Sequence, residues 1–170
     1  MIDSQKKVKD LQDKLASKNS KVITDKIASL RNENPFSGAI RLLVDFFNTT
    51  NDPDIKDLIR NFLNDIKDPD SRTEVIGELK KDYTSDTIAM LACSCWQSGL
   101  DYADFSIEFA EILIKGDYLT SLECFTVLEE SLLNISESNR NKIISLLEKN
   151  IETFAPEKAT LTRALISILS

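Results

Sequence analysis

The sequence predicts an all-α fold arranged as a stack of helical hairpins, and three observations predict it. Apolar residues recur at helical spacing along nearly the whole chain. The four glycines and four prolines are too few to punctuate many short strands. The implied helix pairs start near Ser20, Asp52, Ser85 and Asp117, in steps of 32, 33 and 32 residues. A fixed period of that length marks repeats that stack because each hairpin has more apolar surface than it can bury alone. The expected organisation is a single domain over 1-170, with repeats near 20-48, 52-82, 85-115 and 117-154. An N-terminal helix or arm at 1-17 precedes them and a C-terminal helix at 156-170 follows. A closed helical bundle has the same local periodicity and is the alternative.

In order, Asp3 to about Ser17 places Val8, Leu11 and Leu15 at helical spacing among lysines, which predicts a weakly amphipathic helix. Ser20 to Arg31 turns Val22, Ile23, Ile27 and Leu30 inward, and Asn32-Glu33-Asn34-Pro35 stops it. Phe36 to Asn48 carries Ile40, Leu43, Val44 and Phe47 on one face. Asp52-Pro53-Asp54 then opens a helix: an N-capping carboxylate, a proline whose fixed φ suits the first helical position, and an acid at the positive helix end. That helix shows Ile55, Leu58, Ile59, Phe62, Leu63 and Ile66. The same three letters at Asp68-Pro69-Asp70 predict a second such opening, before Val75, Ile76 and Leu79.

Thr84-Ser85-Asp86 starts a helix to Gln97 that is apolar nearly all round, which suits a central position, and Gly99 is placed to end it. Asp104 to Lys115 points Phe105, Phe109, Ile112 and Leu113 inward, with Gly116 at its end. Tyr118 to Leu133 is expected to bury Leu119, Leu122, Phe125, Leu128 and Leu132. Ser136 to Phe154 carries Ile143, Ile144, Leu147 and Ile151, and Pro156 sets the last helix.

The stretch Leu42-Leu43-Val44-Asp45-Phe46-Phe47-Asn48-Thr49-Thr50-Asn51-Asp52-Pro53-Asp54-Ile55-Lys56 resembles the join between consecutive HEAT repeats, where a leucine-rich helix ends in an Asp-Pro-Asp loop. The likeness covers about residues 36 to 66. Later units keep the period but replace the join with Thr84-Ser85-Asp86 and Gly116-Asp117-Tyr118, and bulky Ile59 and Phe62 stand where that family favours small alanines. The resemblance implies a HEAT- or armadillo-like α-α superhelix, a solenoid of about four hairpins, with a binding role. It carries over no catalytic residue.

Composition narrows the function classes. Histidine is absent, which removes the commonest general base, the commonest metal ligand and every Ser-His or Cys-His nucleophile pair. No cofactor or metal motif is present, and Cys93, Cys95 and Cys124 read as small buried hydrophobes. No run of eighteen apolar residues occurs, and the first residues turn polar at once, so a cytoplasmic protein without a membrane span is expected.

Charge is the main functional clue. Residues 1 to 31 hold eight basic and four acidic residues, whereas 86 to 137 hold ten acidic residues against Lys115 alone. Such a segment repels nucleic acid and attracts a basic peptide or protein. Asp101, Asp104, Glu108 and Glu111 share one face if their helix reaches back to Asp101. A solvated face, a contact surface for a basic partner and a hard-cation site all compete for that cluster. Tyr83, Tyr102 and Tyr118 each follow an aspartate, which fits either ring packing over helix ends or an aromatic and acidic ridge. Trp96 is expected in the core or as the floor of a groove.

Three functions follow. The first is a non-enzymatic protein-protein interaction module or scaffold with its acidic surface at 86-137. The second is an enzyme on a helical-repeat scaffold, such as a DNA-alkylation-repair-like glycosylase. The third is a structural subunit forming a homo-oligomer through the apolar C-terminal residues Leu161, Leu165, Ile166, Ile168 and Leu169.

Overall fold

A computed structural model describes the backbone of residues 2–170 and the side chains of residues 4–170. Ten α-helices carry the chain, joined by short 3₁₀ turns, and no strand occurs among the described residues. They are α1 (Ile2–Leu15), α2 (Ser20–Leu30), α3 (Ala39–Thr49), α4 (Pro53–Asn64) and α5 (Ser71–Leu79). They continue as α6 (Ser85–Gln97), α7 (Ser106–Lys115), α8 (Tyr118–Glu130), α9 (Glu137–Asn150) and α10 (Pro156–Leu169). The even helices α2, α4, α6 and α8 begin 33, 32 and 33 residues apart.

Each of those four starts is fixed by a side chain. Asn19, Asp52, Thr84 and Asp117 accept hydrogen bonds from the first backbone N–H groups of α2, α4, α6 and α8. These groups have no partner inside their helix, so a cap is worth about 1 kcal/mol. The second Asp-Pro-Asp works differently. Asp68 Oδ1 accepts from Asp70 N at 3.2 Å and Oδ2 from Ser71 Oγ at 3.1 Å. The turn this makes delays α5 to Ser71, and Pro69 lies outside the helix.

The even helices form one row: α2 packs on α4, α4 on α6, α6 on α8 and α8 on α10. The odd helices lie across from them, with α1 on α3, α3 on α5 and α7 on α9. Consecutive helices pack closely as α1/α2, α3/α4, α5/α6, α7/α8 and α9/α10. The loops inside these pairs are short, down to Gly116-Asp117 between α7 and α8. Hairpins therefore close across Thr50-Asn51-Asp52, while α2 reaches α3, α4 reaches α5 and α6 reaches α7 by longer crossings.

One contiguous core runs through both rows, centred on Leu43, Phe47, Ile59, Leu91, Phe109, Leu113, Leu128 and Ile143, each fully buried. Nearly every residue expected inward lies there or packs against it. Leu119 and Leu122 do not. They are exposed, and α8 instead buries Thr120, Ser121, Cys124, Val127 and Leu128. Ser121 sets this phase: its hydroxyl donates to the carbonyls of Leu113 at 2.9 Å and Asp117 at 2.7 Å.

On α10 the positions facing inward are Lys158, Ala159, Thr162, Leu165 and Leu169. Leu161, Ile166 and Ile168 are half-buried, and Glu157, Thr160, Arg163 and Ser167 face out.

Polar links between distant residues keep a narrow span. Among the described residues, side-chain hydrogen bonds and ion pairs joining positions more than ten apart span 27 to 44 residues, apart from Lys26–Asp10. Each joins one unit to the next.

Candidate binding surface

The acidic segment covers α6, α7 and α8. Its four clustered acids do not share one helix face, because α7 begins only at Ser106 and Ala103–Phe105 form a 3₁₀ turn. Asp101 lies in the preceding loop, where Oδ1 accepts from Ala103 N at 2.9 Å and Oδ2 from Asn134 Nδ2 at 2.8 Å. Asp104 is exposed on the turn. Glu108 and Glu111 stand on α7; Glu108 pairs with Lys80 at 3.3 Å, and Glu111 is exposed.

The three tyrosines have three separate environments. Tyr102 is buried, edge-on against Phe109 with ring centroids 5.8 Å apart. Tyr83 is half-buried, and its hydroxyl lies between Asp45 on α3 and Glu78 on α5, 2.7 Å from the Glu78 oxygen. Burial, then the two carboxylates, hold its phenol well above the usual value. Tyr118 alone is exposed, at the start of α8. The acids and the tyrosines are thus not gathered into one ridge.

What sequence reasoning missed is that Leu119 and Leu122 extend Tyr118 into an exposed strip on α8. Tyr118, Leu119 and Leu122 are 49%, 52% and 36% exposed. Further along the same helix face stand Glu129 and Glu130, both exposed. At the strip's edge Glu123 Oε2 accepts from Trp96 Nε1 of α6 at 2.7 Å. Trp96 is half-buried and so lies between its two expected placements. Counting leucines favours the exposed phase of α8, which carries Leu119 and Leu122. The signal was the polar trio Asp117, Thr120 and Ser121, each bonding to or packed on backbone at the α7–α8 turn.

Lys158 went unremarked in the sequence. It is buried, and its ammonium donates to the carbonyls of Ile114 at 2.8 Å and Gly116 at 2.7 Å, over the Phe154 ring. It satisfies carbonyl groups at the end of α7, where a cation is favoured.

The cysteines offer no reactive thiolate near neutral pH. Burial, helped by Glu123, pushes Cys93 up to about 11, and burial pushes Cys95 up to about 12 and raises Cys124 as well. No group of three or more His, Cys, Asp or Glu residues suited to a metal ion occurs among the described residues. No helix there is long and apolar enough to cross a membrane.

Comparison with known protein families, with curated proteins and with solved structures finds no match.

Proposed function

We propose that this chain is a non-enzymatic interaction module, a HEAT- or armadillo-like α-α superhelix that takes a basic protein or peptide on its acidic segment. The architectural part is supported by the span of its contacts. Every substantial packing between described helices joins elements no more than three apart in order, and the long polar links reach one unit along. Nearest-neighbour interaction of this kind is the hallmark of a solenoid, whereas a closed bundle brings its first and last helices together.

The observation that carries the functional part is the state of the acids. Asp104, Glu111, Glu129, Glu130 and Glu137 are exposed and have no cationic partner among the described residues. Unpaired surface charge of one sign steers an opposite charge and suppresses like-charged partners such as nucleic acid. A fluorescent decalysine titrated into the protein at rising salt tests this. Binding at low ionic strength that weakens steadily with salt is expected. No binding at low ionic strength, or preferential capture of duplex DNA, overturns the reading.

A further inference from the structure

The exposed strip of α8 is where apolar surface and unpaired charge coincide. Of the four exposed large hydrophobic residues among the described residues, Tyr118, Leu119 and Leu122 lie together on its first two turns. The fourth, Leu133, lies beyond the other end of the helix. Leu122 lies three residues from Leu119 and four from Tyr118, so it neighbours both on one exposed side of the helix, and Glu129 and Glu130 continue that side. Asp117 and Glu123 flank it. Of the helices packed on α8, α6 carries no basic residue, α7 carries Lys115 in its last turn, and α10 carries Lys158, which is buried, and Arg163.

Resting on the function proposed above, we infer that this face of α8 is the docking site and that its occupant is a basic amphipathic peptide, with apolar side chains interleaved among lysines or arginines. The apolar residues cover Leu119 and Leu122, and the cations meet Glu129, Glu130 and Glu123. An apolar centre with a charged rim is the ordinary anatomy of a contact surface. An anionic lipid surface is disfavoured by the same charges. A second copy of this chain is a poor fit. Its basic helix α1 buries Leu11 and Leu15, and the exposed positions among its described side chains, such as Gln5, Lys6, Lys9 and Lys14, offer no apolar complement.

Trp96 makes the site observable. It is the sole tryptophan, and its indole N–H bonds to Glu123 at the rim of the strip. A tryptophan-free amphipathic peptide of leucine and lysine at helical spacing, titrated into the full chain, is expected to change Trp96 emission along a saturating curve. Leu119→Ala with Leu122→Ala is expected to weaken it about tenfold, and Glu129→Lys with Glu130→Lys by at least as much. Both pairs are exposed, so circular dichroism is expected to show an unchanged fold. Asp104→Lys with Glu111→Lys makes the same change in net charge away from α8 and serves as the comparison, expected to weaken binding less than either α8 pair. If that comparison pair weakens binding while the α8 variants do not, the acidic module stands and the α8 site is overturned. If decalysine binds as tightly as the leucine-lysine peptide, the apolar anchors are overturned. If neither peptide binds at low salt, both inferences fall.

Discussion

Between α6 and α8 the join is apolar and closed. Leu91 and Cys95 on one side and Cys124, Val127 and Leu128 on the other belong to one buried core, and the two helices pack along their length. Across the molecule α5 and α7 have no comparable packing. What crosses there is polar: the Lys80–Glu108 pair, and Arg72 donating to the Asp101 carbonyl. Meanwhile α5 is tied firmly backwards. Glu74 Oε1 accepts from Gly38 N at 3.0 Å and Arg41 N at 3.1 Å at the start of α3, and Tyr83 bridges Asp45 and Glu78. The row of odd helices is therefore divided by a polar seam, and α6 is the element on which both parts lean. Burial on one side holds the parts together, and the weak side sets how they can shift.

The largest expected effect comes from attacking the apolar join. Leu91→Ala removes a fully buried side chain and should cost about 2–5 kcal/mol in urea unfolding. A loss below about 1 kcal/mol would place the main join elsewhere.

Next is the turn beneath α8. A Cβ added at Gly116 would lie 2.7 Å from Thr120 Cγ2, 2.8 Å from Thr120 Cβ and 3.1 Å from the Ile112 carbonyl oxygen. Thr120 is buried and cannot swing clear, so Gly116→Ala should cost about 1–3 kcal/mol, with Thr120→Ser restoring part of it. No recovery in the double variant would place the strain at the Thr120 Cβ and the Ile112 carbonyl, which serine leaves in place.

Tyr83→Phe asks whether α5 belongs with α3. Removing a hydroxyl shared by two carboxylates should cost about 1–2 kcal/mol at neutral pH. The sign with pH follows from the raised phenol. Its contribution is complete below about pH 10, where the unfolded tyrosine also holds its proton, and fades as pH rises towards the folded value. Wild type and variant should therefore converge in melting temperature under alkaline conditions. A constant gap would contradict the shared proton.

The smallest effect is expected at the seam itself. Lys80→Ala breaks an ion pair whose lysine side chain is 54% exposed, and should change stability by about 0.5 kcal/mol or less. A loss several times larger would show that the seam carries more of the join than its contacts suggest.

How much of this was legible in the sequence varies with how local the deciding interaction is. The Asp52 cap, the central apolar α6 and the even-helix period follow from residues within a few positions of each other. The identical letters at residues 68–70 diverge because Asp68 spends its oxygens on Asp70 and Ser71, which the triplet alone does not reveal. The phase of α8 was settled by Ser121 reaching a carbonyl of α7, and leucine counting favours the other face. Three Asp-Tyr pairs read alike yet differ in burial, because each loop delivers its ring to a different neighbour. The pairing of hairpins was likewise hidden, since a period fixes the repeat length without saying which of two loops closes the hairpin.

The narrow span of the polar links has a kinetic consequence. A chain whose partners all lie about one unit away closes only modest loops on its way to the native state, and loop entropy grows slowly with length. Contacts of bounded separation spare the chain the slow closure of loops as long as the chain itself. In the solenoid proposed above, ordering starts from any hairpin with enough apolar surface and spreads to its neighbours. The largely apolar α6, which packs on four other helices, is the natural seed. A substitution at Leu91 would then slow folding, whereas one at Lys80 would register in unfolding.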